Sequence, residues 1–193
     1  MRHRDVTDTG LLTEFLYDDG TNDNTVVCAA HGGGIEPGTA EQAIELATHL
    51  QQASCWGCMG YDDELNEYDL WHDQMHSTAI TAEEYPLLDE IADRGFETVI
   101  SFHGLGQDKV LVGGDLDSDV KEHVRDRLAE VVTHPVEAVS TGQYAGTHPD
   151  NFVNWLGQEG NGGLQLEQSR AVRDHEGDAV VSVLENLVTE GII

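Results

Sequence analysis

The sequence predicts an α/β protein: a single three-layer domain whose mostly parallel, mixed and twisted sheet carries helices on both faces. Short runs rich in β-branched residues alternate with segments in which apolar residues recur at helical spacing. No internal repeat and no linker between domains is evident, and 193 residues suffice for one domain with a sizeable core. We therefore expect residues 1–193 to form one domain with a parallel sheet covered on both sides.

The predicted elements alternate along the chain. The predicted strands cover residues 25–29, 53–59, 98–104, 109–114, 136–140 and 163–167. The predicted helices cover residues 43–50, 86–92, 117–132 and 170–187. Pro86 suits the first turn of its helix, and Gly95 suits the end. Residues 1–24 are expected to be irregular apart from a short apolar patch, and residues 141–162 to form a loop rich in glycine and asparagine.

The charge of the chain is strongly negative. It contains 37 acidic and 9 basic residues, a net charge of -28 at pH 7. This balance argues against nucleic acid and anionic membranes as partners, because few cations are available to neutralise phosphates. The acids are dispersed among apolar patterns, which is typical of proteins from salt-accumulating halophiles, where molar salt shortens the Debye length to ~3 Å. An ordinary acidic mesophilic protein is the alternative.

Targeting and cysteine signals are weak. No segment approaches the ~20 apolar residues of a membrane span, and no signal peptide is evident at the start, so we expect a protein that is cytoplasmic when made. Cys55 and Cys58 have the spacing of a redox motif or half a zinc site, but they lie in a predicted strand without a second pair. We interpret them as small buried residues.

Chemically reactive side chains follow three of the predicted strands. His31 ends the first strand, and Glu36 follows it across a turn of three glycines. His103 ends a central strand, and Glu167 ends the last one. Ligands of open α/β sheets bind beyond the carboxyl ends of the strands, so these side chains are expected to meet. Two imidazoles and a carboxylate form a catalytic zinc site, and a further carboxylate can act as its base.

Each of these residues also has an ordinary structural interpretation. His31 and Glu36 would flank a strand-turn-helix connection with a capping acid. His103 would hydrogen-bond to the backbone, and Glu167 would be an acid in the first turn of a helix. Taken together, the four positions favour a site over four separate structural roles.

The run His-Gly-Gly-Gly-Ile-Glu-Pro-Gly-Thr resembles the opening motif of the poly-γ-glutamate hydrolase family, zinc enzymes of phages and bacteria with a carboxypeptidase-like fold. Further segments resemble its strand-His-Gly, Gly-Gly-Asp, Gly-x-Gln-Leu-Glu-x-Ser-Arg and His-x-Thr motifs. The similar segments are residues 31–39, 102–104, 112–115, 163–170 and 75–78, within a core of about 25–175. The resemblance implies one zinc ion per chain held by His31, Glu36 and His103, and Glu167 as general base.

The same resemblance implies a polyanionic polypeptide, poly-γ-glutamate, as substrate. It also implies a viral origin, release at lysis or carriage on the virion, and virion proteins as further partners. Two other functions stay open: a zinc peptidase or deacylase acting on another amide, and a virion or surface binding module that retains the fold.

One position departs from the family pattern. Trp155 follows Asn154, where family members tend to have an arginine. Arg170 and Arg173 are the remaining candidates to recognise a substrate carboxylate, although pairing with surface acids would also explain them. His76 and Tyr144 are further candidates for substrate binding.

Overall fold

The computed structural model describes residues 1–22, 24–158 and 161–193. Within them, one eight-stranded sheet has the strand order β1-β2-β4-β3-β5-β8-β6-β7. The strands are β1 (Arg2–Val6), β2 (Gly10–Tyr17), β3 (Thr25–Gly33), β4 (Ser54–Asp62), β5 (Thr98–Leu105), β6 (Val110–Gly114), β7 (Val136–Ala138) and β8 (Leu164–Ser169). The helices are α1 (Thr39–His49), α2 (Glu67–Trp71), α3 (Pro86–Asp89), α4 (Ser118–Ala129), α5 (Phe152–Trp155), α6 (Arg170–His175) and α7 (Gly177–Thr189), with a 3₁₀ turn at His72–Met75.

The middle of the sheet is parallel. Strand β3 pairs in parallel with β4 and β5, and β5 pairs in parallel with β8. The antiparallel pairs are β1–β2, β2–β4 and β6–β8, so the sheet is mixed, as predicted. Because β3, β5 and β8 run in the same direction, their carboxyl ends lie at one edge. This edge carries the site.

A hydrophobic core covers each face of the sheet. On one face Leu46, Leu128 and Leu184 of α1, α4 and α7 pack against the strands. On the other face Trp71 and Leu88 pack with Trp56 beneath the short helices. The predicted three layers, with helices on both sides, are therefore confirmed.

The amino terminus differs from the prediction of an irregular segment, because it forms β1 and β2 and extends the sheet. Leu12 and Phe15 of β2 are buried, but Glu14 between them is also fully buried. Its carboxylate accepts hydrogen bonds from the indole of Trp56 and from the first turn of α3. This buried acid interrupts the apolar alternation on which the prediction depended. Residue 23 of that segment lies outside the described residues.

The carboxyl-terminal half differs in two further places. The single helix predicted over 170–187 is two helices, α6 and α7, which meet at Glu176 and Gly177. The loop predicted over 141–162 contains α5, whose first turn is capped by the side chain of Asn151. Residues 159 and 160 of that loop lie outside the described residues.

Cys55 and Cys58 are buried and free, and burial raises the pKa of Cys55 to about 12, which fits the interpretation as inert core residues. No helix among the described residues is long and apolar enough to cross a membrane.

Candidate active site

The site lies where β3, β5 and β8 end. His31 is on β3, and His103 on β5 is the direct register partner of Glu167 on β8. Glu36 returns to His31 through a tight turn in which the Glu36 amide donates to the His31 carbonyl over 2.7 Å. The turn requires a backbone φ of +71° at Gly33, a conformation that glycine adopts without strain. All four side chains are more than nine-tenths buried.

The three predicted metal ligands face one another. His31 Nδ1 lies 3.2 Å from Glu36 Oε2 and 3.3 Å from His103 Nδ1. His103 Nδ1 lies 3.9 Å from Glu36 Oε2. Tetrahedral zinc ligands about 2.0–2.1 Å from the ion are separated from each other by about 3.3–3.5 Å. The first two separations are close to that range and the third lies slightly beyond it, so these atoms fit a zinc ion.

The outer nitrogens of the two histidines are held by neighbours. His31 Nε2 lies 2.8 Å from the Met75 carbonyl, which can only accept, so this nitrogen carries the proton. His103 Nε2 lies 2.8 Å from the hydroxyl of Ser101. In neutral His31 the lone pair is therefore on Nδ1, aimed at Glu36 and His103. Such outer partners orient the histidines of metal sites.

Gly104 allows the carboxylate to approach the strand. Its amide donates to Glu36 Oε2 over 2.8 Å. A Cβ atom at this position would lie 2.9 Å from Glu36 Cγ and 2.8 Å from Arg173 Nη1. These close contacts explain why the residue after His103 is a glycine.

The electrostatics of the site shift the pKa values of its buried titratable groups in different directions. Burial alone would lower the pKa of His31, but the Glu36 carboxylate raises it above its usual value. Burial alone would raise the pKa of Glu36, but His31 and His72 hold it well below its usual value. Burial and repulsion by His31 lower the pKa of His103 to about 3. Burial and the nearby Glu36 charge raise the pKa of Glu167 to about 8. A carboxyl group with a raised pKa suits proton transfer near neutral pH.

A cleft of about 890 Å³ opens above these residues. Of the predicted substrate-binding residues, Arg173, His76 and Tyr144 line it. Arg173 is held by the carbonyls of Pro37 and Gln168.

Arg170, the fourth residue predicted to bind substrate, is not among the described residues that line the cleft. It begins α6, and its Nε bonds to both carboxylate oxygens of Asp174, one turn further along the helix, at 2.7 Å. Trp155 is also outside the described lining, and it packs against the core on the face of α2 and α3.

His72 is a site residue that the sequence did not assign. Its Nε2 lies 3.5 Å from Glu36 Oε1, and its ring stacks on Tyr68 with centroids 4.1 Å apart. The ligand atoms of His31, Glu36 and His72 lie within 4.8 Å of one another, so this trio also has the spacing of a metal site. The only sequence signal is the spacing of four residues between Tyr68 and His72, which places two rings on one helical face.

Comparisons with known proteins point to one family. The family described as poly-gamma-glutamate hydrolase matches residues 13–178. No curated protein matches the sequence.

Solved structures share the fold. The zinc-free form of YndL aligns with a TM-score of 0.74 at 22% identity, over 94% of this chain and 91% of that chain. A bacteriophage poly-gamma-glutamate hydrolase aligns with a TM-score of 0.73 at 22% identity, over 96% and 91%. A putative metallopeptidase from Shewanella denitrificans aligns with a TM-score of 0.58 at 11% identity, over 100% and 84%. These matches confirm the predicted carboxypeptidase-like α/β fold.

Proposed function

Because the chain belongs to the poly-γ-glutamate hydrolase family of amide-cleaving metallohydrolases, we propose that it cleaves γ-glutamyl amide bonds of poly-γ-glutamate with one zinc ion. The observation that carries the proposal is the convergence of His31, Glu36 and His103 beside Glu167, at the carboxyl ends of adjacent strands.

We assign the metal to His31, Glu36 and His103 rather than to the trio that includes His72. His103 Nδ1 lies 3.3 Å from His31 Nδ1, and the His103 ring is buried with its other nitrogen held by Ser101. The side chain of His72 is 21% exposed, and it reaches the second oxygen of Glu36. His72 therefore serves as an outer partner of Glu36 at the cleft wall.

Glu167 is assigned the role of general base and acid. Zinc, when bound, supplies a Lewis acid that activates water as a nucleophile and polarises the scissile carbonyl. Glu167 accepts a proton from the attacking water and returns it to the departing nitrogen. Its place opposite His103 puts the carboxyl group beside the ligands without requiring it to bind the metal.

The charges of the cleft support a polyanionic substrate. Among the described lining residues there are five of the ten histidines of the chain and Arg173, but of the 37 acidic residues only Glu36 and Glu167. The described lining of the cleft thus lacks the acidic character of the surface, and the Arg173 guanidinium in it can pair with the free α-carboxylates of γ-linked glutamate. Arg173, His76 and Tyr144 are the proposed substrate contacts. Trp155 packs against the core and is not part of the described lining of the cleft, so its position gives no support to a different amide substrate.

The experiment is a metal analysis combined with an activity assay. Protein purified in molar salt should contain about one zinc per chain and should shorten poly-γ-glutamate, and chelation should abolish the cleavage. Glu167→Gln should keep the zinc and lose about 10²- to 10⁴-fold in rate. Zinc without cleavage of poly-γ-glutamate would refute the substrate, and a protein that binds no zinc would refute the site.

We further propose that the protein functions in concentrated salt, as in a halophile or its virus. The support is a net charge of -28, whose repulsion is screened by molar salt. The melting temperature should rise between 0.1 M and 2–3 M KCl by more than that of a near-neutral protein. An equal or smaller rise would contradict the proposal.

A further inference from the structure

A directed chain of hydrogen bonds connects the start of α5 to Glu167. The Val153 amide donates to Asn151 Oδ1 over 3.2 Å. Asn151 Nδ2 donates to Gln165 Oε1, and Gln165 Nε2 donates to Glu167 Oε1, each over 2.8 Å. Asn151 and Gln165 are at most 4% exposed, so water does not compete freely for these bonds.

The backbone fixes the direction of this chain. The Val153 amide can only donate, so the oxygen of Asn151 must face it. The Gly146 carbonyl can only accept, and it lies 3.4 Å from Asn151 Nδ2. Both contacts orient the Asn151 amide in the same way, and its Nδ2 must then meet the oxygen of Gln165. The Nε2 of Gln165 is consequently left to donate to Glu167.

We propose that Asn151 and Gln165 are positioning residues that keep Glu167 Oε1 an acceptor, so that Oε2 is the oxygen that takes up and delivers the proton. A proton on Oε1 would weaken the hydrogen bond from Gln165, because a protonated carboxyl oxygen is a poorer acceptor than an unprotonated one. This inference rests on the proposed role of Glu167. In the first step a water O–H bond breaks, the Glu167 Oε2–H bond forms, and the water oxygen bonds to the substrate carbonyl carbon while the π electron pair of the C=O bond moves onto the carbonyl oxygen. In the second step the C=O bond re-forms, the C–N bond and the Oε2–H bond break, and an N–H bond forms on the leaving amine.

The same network joins the base to the cleft wall. Both Asn151 and Asn154 donate to the Gly146 carbonyl, and Gly146 lines the cleft next to Tyr144. Strand β8 then places Gln165 and Glu167 on the cleft side, while Leu164 and Leu166 enter the core. The alternation of β8 thus assigns two residues to packing and two to the site.

Two substitutions test the direction of the chain. Asn151→Asp can still cap α5, because aspartate caps as well as asparagine, but it has no N–H for Gln165. Gln165→Met removes the donor to Glu167 at similar volume. Each should lower kcat about 10- to 100-fold, the usual cost of losing an outer partner, while KM and zinc content stay unchanged. Wild-type kcat in either variant would overturn the proposal.

The double variant Asn151→Asp/Gln165→Met separates the effect of lost positioning from the effect of the negative charge that Asn151→Asp adds. If Asn151 acts through Gln165, the double variant should equal Gln165→Met alone, because no connection to Glu167 remains. Additive losses would overturn the proposal.

Gln42→Met is the control: Gln42 exchanges two buried amide hydrogen bonds with Gln168 and lies outside the described cleft lining. It should lower stability and leave kcat unchanged.

Neutron diffraction from crystals of the deuterated wild-type protein tests the same arrangement without an activity assay. The deuterons of Gln165 Nε2 should point to Glu167 Oε1, and no deuteron should lie on that oxygen. A deuteron on Oε1, or a flipped Gln165 amide, would refute the network. Failure to cleave poly-γ-glutamate would refute the substrate instead, so the two failures are distinguishable.

Discussion

His103 and Glu167 face each other as register partners on the parallel strands β5 and β8. The pairing places a buried imidazole that faces His31 next to a carboxyl group whose pKa burial and Glu36 raise to about 8. One rung of the sheet thus carries both a proposed metal ligand and the proposed base. The backbone ladder between β5 and β8 therefore sets the relative positions of these two residues.

The choice of the third ligand can be tested by comparing two histidines. We expect His103→Ala to lose zinc, because it removes an imidazole that faces both His31 and Glu36. His72→Ala should retain zinc with an affinity weakened by about 10- to 100-fold at most, as for an outer partner. Zinc titration followed by equilibrium dialysis measures both. Loss of zinc in His72→Ala with retention in His103→Ala would reverse the assignment.

The glycine after His103 provides a steric test. Gly104→Ala places a Cβ 2.9 Å from Glu36 Cγ and 2.8 Å from Arg173 Nη1, so we expect weaker zinc binding and a large loss of activity. Gly106→Ala is the matched control, since its Cβ would meet no atom within 4 Å. Both variants should fold, as circular dichroism can establish. Equal zinc affinity in the two variants would contradict this explanation of Gly104.

The two arginines of α6 should differ in their effect on substrate binding. Arg173 lines the cleft, whereas Arg170 pairs with Asp174 outside the described lining. Arg173→Gln should raise KM for poly-γ-glutamate by about tenfold or more, the effect of losing one charge-assisted contact worth about 1.5 kcal/mol. Arg170→Gln should leave KM unchanged. Steady-state kinetics at constant high salt measure both KM values. If KM changed only in Arg170→Gln, the substrate would instead bind along the side of α6 that carries Arg170.

The raised pKa of Glu167 predicts a pH-dependent stability of the metal-free protein. The unfolded chain releases this proton near pH 4.5, but the folded protein holds it until about pH 8. Between these values the unfolded state binds fewer protons, so the free energy of unfolding falls as pH rises. In Glu167→Gln no carboxyl group titrates at this position, so this fall in the free energy of unfolding is absent.

The metal-free Glu167→Gln variant should therefore melt at a higher temperature than the metal-free wild type at pH 8, and at nearly the same temperature at pH 4. Thermal unfolding after chelation, at one fixed salt concentration, measures the difference. A variant that is less stable than the wild type at pH 8 would show that the Glu167 carboxyl is not strained by burial in the metal-free state.

The sequence by itself determined the features that depend on local patterns. The β-branched runs of β3 and β5 and the alternation of β8 predicted the strands, and parallel strands bring their carboxyl ends to one edge. The sequence could propose His31, Glu36, His103 and Glu167 as site residues because each follows or ends a strand within a short motif.

The tertiary structure decided what depends on distant parts of the chain. His72 reaches Glu36 because α2 packs on β4 and the 3₁₀ turn packs on β3. Asn151 meets Gln165 because α5 packs on β5, the neighbour of β8. Strand β2 was not predicted because Glu14 places a polar residue at a buried strand position. The partners that make this burial possible, Trp56 and α3, lie far along the chain. Periodicity reports which face of an element is apolar, whereas partners of buried polar groups are set by long-range packing that no local pattern contains.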